Sequence, residues 1–264
     1  MNPNYIVHRL IRDASFLICL IFTFASTPAL TAQSTPLSLL DDPAGSMVCS
    51  LPKLAQDRLQ VLVDGTQLTF GNPEILFEKH LPEADFISAG WKDATGKLLH
   101  QRDVLLVKSG YCVVIDYLYG TAQHAITTSF AFPSGNVEVG EQGAQCRLAD
   151  GQTLRIQSLD PLAKIAGQTD AAGRAVFTST KTLPAPLPVV LLAWDNTAAK
   201  KVEIVKAGNP MVVKLKVSFP DGRVDEVALA WESRPLHLNG KEFKGWSACL
   251  RHAVDGSQSF FEVN

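Results

Sequence analysis

From Arg58 to Trp231 the chain runs in short stretches with a period of two, and turn residues interrupt it at intervals of about ten residues. This pattern limits the possible folds more than any other feature. Alternation puts successive side chains on opposite faces of a strand, so each strand can cover a core with one face only. The spacing predicts strands over Arg58–Val63, Gln67–Phe70, Ile75–Leu81, Leu98–Lys108, Tyr111–Tyr119, Gln123–Phe132, Val137–Val139, Ala144–Leu148 and Thr153–Leu159. It predicts further strands over Ala175–Thr182, Val189–Trp194, Lys201–Val205, Met211–Phe219 and Arg223–Trp231. Asp64-Gly65, Gly71-Asn72-Pro73 and Pro220-Asp221-Gly222 read as turns. Ser109-Gly110 reads as the shortest hairpin loop. After the first 32 residues no long segment carries an apolar period of 3.6, so the expected class is all-β: an antiparallel sandwich of two packed sheets.

The N-terminus has a different character. His8, Arg9 and Arg12 make a basic start, and Ser15 to Ala25 is an apolar run built on Phe16, Leu17, Ile18, Leu20, Ile21, Phe22 and Phe24. The small residues Ser26, Thr27, Ala29, Thr31 and Ala32 follow. Basic, apolar, then small is the layout of a cleavable signal peptide, and the run is shorter than the roughly 20 residues that span a bilayer. Residues 1–32 are therefore read as a signal peptide cut near Ala29 or Ala32. Residues 33–56, rich in Ser, Pro and Asp, read as a linker or arm, and 57–264 as the sandwich domain. Export implies a periplasmic or extracellular location with no integral membrane association after cleavage. Of the 24 basic and 26 acidic residues, the leader holds two arginines and one aspartate, which leaves a net charge of −3. Such a balance gives no basic footprint for nucleic acid, and an acidic ligand would need a local basic patch.

Four of the five cysteines, Cys49, Cys112, Cys146 and Cys249, follow the leader. An oxidising compartment permits two disulfides in any of three connectivities. Position along the chain favours Cys49–Cys249 and Cys112–Cys146, against the alternative of four buried thiols. None belongs to a CxxC pair or adjoins a histidine, and no metal or cofactor is expected.

One block is more specific: His100-Gln101-Arg102-Asp103, the apolar run to Val107, then Lys108-Ser109-Gly110-Tyr111, the strand ending Val114-Ile115-Asp116, Gly120, His124 and Phe130-Ala131-Phe132. Val104–Val107 and Val113–Ile115 are apolar on both faces, so these strands lie where both sides are covered. Arg102 and Asp116 come near each other if the hairpin turn sets the register. The block resembles the C-terminal β-sandwich of heparinase II/III-like polysaccharide lyases, in which a His-x-Arg strand, a Lys-x-Gly/Asp-Tyr turn, a Val-Val-Asp strand, a His and a Phe-x-Phe strand follow in that order. The resemblance covers roughly residues 84 to 232. It implies an acidic polysaccharide as partner. In that family a helical toroid supplies the catalytic Tyr, His and Asn; only the leader and the arm precede the sandwich here, so a separately encoded toroid is a second expected partner. His80, Asp85 and Asp93, ahead of the block, do not match the family's metal segment.

Two sets of residues are candidates for a site. His100, Arg102, Asp116 and His124 lie on adjacent predicted strands and could converge. Trp91, Tyr111, Trp194, Trp231 and Trp246 could contact sugar rings, since aromatic faces suit them, although core packing is the commoner role. The leading expectation is an exported module that binds acidic polysaccharide or complements a separate catalytic domain. The alternatives are a lyase in its own right, using His100, Tyr111 or His124, and a structural envelope protein.

Overall fold

The computed structural model describes residues 58–264 apart from 68–72, 94, 134–135, 142, 149–150, 167–168, 170–172 and 195–200, with backbone alone for 193 and 194. The predicted leader, the arm and Cys49 lie outside the described residues.

Among the described residues every regular element is a strand and every strand pairing is antiparallel, but the strands form three sheets rather than two. The first sheet contains β1 (Leu59–Val63), β2 (Thr66–Gln67), β7 (Gln123–Ala131), β11 (Lys164–Ile165) and β12 (Arg174–Thr182), in the order β11-β12-β7-β1-β2. The central sheet contains β3 (Glu74–His80), β4 (Ala84–Lys92), β5 (Leu98–Val107), β6 (Tyr111–Leu118), β8 (Val137–Val139), β9 (Gly143–Arg147), β10 (Thr153–Ser158) and β13 (Ala185–Trp194). Its order is β3-β4-β5-β6-β13-β10-β9-β8. The third sheet follows chain order: β14 (Lys201–Val205), β15 (Val212–Ser218), β16 (Val224–Leu238), β17 (Lys241–His252) and β18 (Gln258–Val263).

The central sheet is covered on both faces, which is why β5 and β6 lack the usual apolar–polar alternation. Cys112 and Val114 of β6 pack with Phe130, Ala175 and Phe177 of the first sheet. The alternate residues Tyr111, Val113, Ile115 and Tyr117 pack with Val213, Leu215, Leu229 and Val263 of the third. All eight residues of β6 are buried. The expectation of doubly covered strands holds, and the third sheet is what covers the second face.

The β5–β6 loop is Lys108–Gly110, three residues rather than two: Val107 pairs with Tyr111, and Gly110 donates its N–H to the Val107 carbonyl. The difference of one residue matters. In a two-residue register Arg102 would oppose and share a face with Tyr117, leaving Asp116 on the other face. The three-residue loop, with Gly110 at φ 118°, sets Arg102 directly opposite Asp116.

Four strands were not expected: Ala84–Lys92, Lys164–Ile165, Lys241–His252 and Gln258–Val263. The last two complete the third sheet. The β16–β17 hairpin is long enough to leave that sheet at a register shift between Leu229 and Arg234. Its outer half folds back so that Leu236, Leu238 and Phe243 pack on Ala228, Ala230, Ala248 and Leu250. The alanines make room for the larger side chains. Gly245 sits at the bend with φ 152°, where a Cβ would come within 2.0 Å of the Val263 carbonyl oxygen. Only glycine fits there.

The cysteine pairing is corrected. Cys112 and Cys146 are free, buried thiols in the same core. They lie on β6 and β9, with β13 and β10 between them, so roughly 14 Å separates their backbones at ordinary strand spacing. A disulfide needs Cα atoms within about 7 Å. Cys249 is likewise a buried free thiol.

Candidate functional site

Three of the four predicted cluster residues converge. Asp116 accepts hydrogen bonds from His100 Nε2 at 2.6 Å, Arg102 Nε at 2.7 Å and Arg102 Nη2 at 3.0 Å. Arg102 also donates to the Leu59 carbonyl, which ties the central sheet to β1. Burial alone would raise the Asp116 pKa, but the adjoining Arg102 and His100 outweigh it and hold the carboxyl at about 2. Trp91, opposite His100 on β4, stacks on the imidazole with ring centroids 4.6 Å apart. His100, Arg102 and Asp116 are all buried. A buried charge network in which His100 Nδ1 alone lacks a partner holds a fold together rather than meeting a ligand.

His124 is a correction: it is not part of this network. Its Nδ1 donates to Asp64 Oδ2 at 2.8 Å and its Nε2 to the Thr121 carbonyl at 2.9 Å, at the edge of the first sheet. Both partners only accept, so the ring is held as a double donor, and the Asp64 hydrogen bond raises its pKa. Tyr111 is a second correction. It is fully buried and donates its hydroxyl to Asp225 Oδ2 at 3.0 Å. Asp225 also receives Arg251 Nε at 2.8 Å and Nη2 at 2.9 Å, while Arg251 reaches Ser109 in the β5–β6 loop at 3.1 Å. That cluster clamps the central sheet to the third, and no sugar can reach the Tyr111 ring.

A further buried group escaped the sequence reading because it occupies the other face of the same strand. Gln101 donates to Asp103 Oδ1 at 3.0 Å, to Ser88 Oγ at 3.2 Å and to the Trp231 carbonyl at 3.1 Å, and accepts from the Tyr119 hydroxyl at 2.8 Å. Asp103 is fully buried; burial, which outweighs its hydrogen bonds from Ser88 and Gln101, pushes its pKa up to about 7. Its Oδ2 has no partner, and neither does the nearby Tyr117 hydroxyl. Four consecutive polar residues, His100 to Asp103, in an otherwise apolar strand are the sequence signal: two serve each face.

The aromatic candidates also divide. Trp246 stacks with Phe77 at 5.6 Å against the core between the central and third sheets. The Trp194 side chain is not among those described. Trp231 remains: half-buried, it stacks on Tyr119 at 5.8 Å, and the Arg234 guanidinium stands 6.0 Å from its ring. Arg234 opens into a cleft of about 360 Å³. The folded-back end of β16 and residues 207–209 form its walls, and Lys214, Arg234 and His237 line it together with Val212, Pro235 and Leu236. Its lining includes three basic side chains and no carboxylate. Arg234 Nη2 pairs with Glu232, an exposed contact worth under about 1 kcal/mol, which a ligand anion can displace. Sequence reasoning missed this cleft because a fold-back of β16 creates it, and the alternation gave no sign of that bend.

Among the described residues no group of three or more His, Cys, Asp or Glu side chains is arranged to hold a metal ion. Among the described residues no helix is long and apolar enough to cross a membrane.

Comparison with solved structures places this architecture. A heparan sulfate lyase HepC mutant from Pedobacter heparinus matches with a TM-score of 0.51 at 17% identity, over 65% of this chain and 30% of that one. Unmutated HepC from the same organism matches with a TM-score of 0.49 at 16% identity, over 71% and 29%. A heparinase III matches with a TM-score of 0.48 at 11% identity, over 65% and 30%. No protein-family model and no curated protein matches the sequence. Over the matched 65% the chain thus shares the fold of part of the HepC mutant, and it spans about 30% of that protein's length.

Proposed function

We propose that this chain is a polysaccharide-recognition module that works outside the cytoplasm, where its basic cleft holds the carboxylate or sulfate groups of an acidic glycan. The carboxylate-free lining of Lys214, Arg234 and His237 beside the Trp231–Tyr119 stack carries the reading. It supplies the local basic patch that a chain of net negative charge needs for an anionic ligand. The half-buried indole offers an apolar face for a sugar ring, and Arg234 suits a bidentate anion. The fold shared with heparan sulfate lyases agrees with this, and a separately encoded catalytic domain is the natural partner for such a module. Elimination by this chain itself has less support, because two of its three candidate groups, His100 and Tyr111, are sealed in the core. The leader-like N-terminus is the reason for assigning the location.

The test is retention of the purified protein on immobilised heparin, heparan sulfate, alginate and dextran. Retention on the uronate polymers that weakens with salt, together with passage through dextran, is expected. Equal behaviour on all four would overturn the proposal.

A further inference from the structure

Among the described residues the third sheet has a free edge at β14, and that edge is unusual. Edge strands are normally blunted by charge or covered, because their unpaired N–H and C=O groups are a template for another strand. On β14, Ile204 and Val205 are 42% and 44% exposed. Among the described residues the strand pairs with β15 alone. Gln157 Nε2 donates to the Val202 carbonyl at 3.3 Å, so that carbonyl points away from β15. Backbone groups of one residue point to one side of an antiparallel strand and alternate along it. Ile204, two residues on, therefore turns both its N–H and its C=O toward the free edge.

A groove runs along that edge. Two clefts, of about 370 and 340 Å³, share Leu159, Asp160, Pro161 and Ile204 and so adjoin each other. The groove's charge changes sign along its length. At the Glu203 end Glu141 and Glu203 line it together with Lys201, which pairs with Glu203 at 2.6 Å. At the Lys206 end Lys206 and Lys214 line it together with Lys181, which pairs with the buried Asp160 at 2.6 Å. Between the ends the walls are apolar: Ile165 and Phe177 on one side of Ile204, Pro184 and Pro186 on the other.

We propose that β14 and this groove accept an extended segment of a partner polypeptide, apolar at its middle, with a basic residue toward Glu203 and an acidic residue toward Lys206. Its backbone would pair with Ile204, adding a strand to the third sheet, and its alternate side chains would enter the groove. Charge complementarity selects this occupant. A uronate polymer is anionic throughout and would meet the acidic end unfavourably, so this groove differs in charge pattern from the basic cleft at Arg234, which it adjoins at Lys214.

The test measures fluorescence anisotropy with two labelled probes, Lys-Thr-Val-Thr-Val-Thr-Glu and the same residues in reverse order, and a third with Gln at both ends. One charged order should bind about tenfold more tightly than the other two probes, since misplaced like charges are rejected. Ile204→Pro should abolish that binding; an outward-facing N–H is where an edge strand tolerates proline, so the pairing with β15 survives. The double variant Glu203→Lys/Lys206→Glu, which changes only exposed side chains, should reverse the preferred order. Equal binding of all probes, no binding, indifference to Ile204→Pro or an unreversed preference would each overturn the proposal.

Discussion

Replacing Asp103 with asparagine should stabilise the protein, and only above mildly acidic pH. In the unfolded chain this carboxyl loses its proton near 3.8, whereas in the folded protein burial holds the proton until about 7. Between those values the native state binds one more proton than the unfolded state, so stability falls as pH rises from about 4 to about 7 and then levels off. The span of roughly three pH units, at about 1.4 kcal/mol each, corresponds to a loss on the order of 4 kcal/mol. Asparagine keeps the oxygen that accepts from Gln101 and places an uncharged NH₂ where Oδ2 now has no partner. Urea denaturation at intervals from pH 4.5 to 8.5 measures the effect. The difference between Asp103→Asn and the parent protein should be small at the acid end, grow through the neutral range and stay constant above it. Parallel stability curves for the two proteins would refute the reasoning, because they would mean that Asp103 is already ionised or reaches water.

Two further outcomes follow from the polar clusters. Arg102→Ala leaves the buried Asp116 with His100 as its remaining partner and should cost about 3–5 kcal/mol in denaturant unfolding, while heparan sulfate retention by the still-folded fraction is unchanged. The His124–Asp64 contact should stabilise the edge of the first sheet at low pH and weaken as pH rises through the raised pKa of His124. Amide exchange at Ala125, which donates to Asp64 Oδ1, should quicken across that range in the parent protein and show no such step in His124→Gln.

The strands were legible where one face is wet. β15 alternates strictly, and its buried residues Val213, Leu215 and Val217 follow from the pattern alone. β4 was not legible. Ala84–Lys92 lies inside the central sheet with Phe86, Ile87, Ser88, Ala89 and Gly90 all buried, so it carries no alternation to read. The same physics hid the third layer: β5 and β6 gave notice of two covered faces, but the sequence does not say what covers the second. The Arg102–Asp116 pair was readable because both residues lie in one hairpin, although its geometry depended on a loop one residue longer than expected. The Tyr111–Asp225–Arg251 clamp and the basic cleft join residues far apart in the chain, and local pattern cannot bring such residues together.

Titration calorimetry with a heparan sulfate hexasaccharide, comparing the parent protein with Arg234→Ala, tests the central claim most directly. Binding that weakens with salt in the parent and falls about tenfold or more in the variant, as loss of a charge-assisted contact implies, is the predicted result. Equal affinity in the two proteins, or none in the parent, would contradict it.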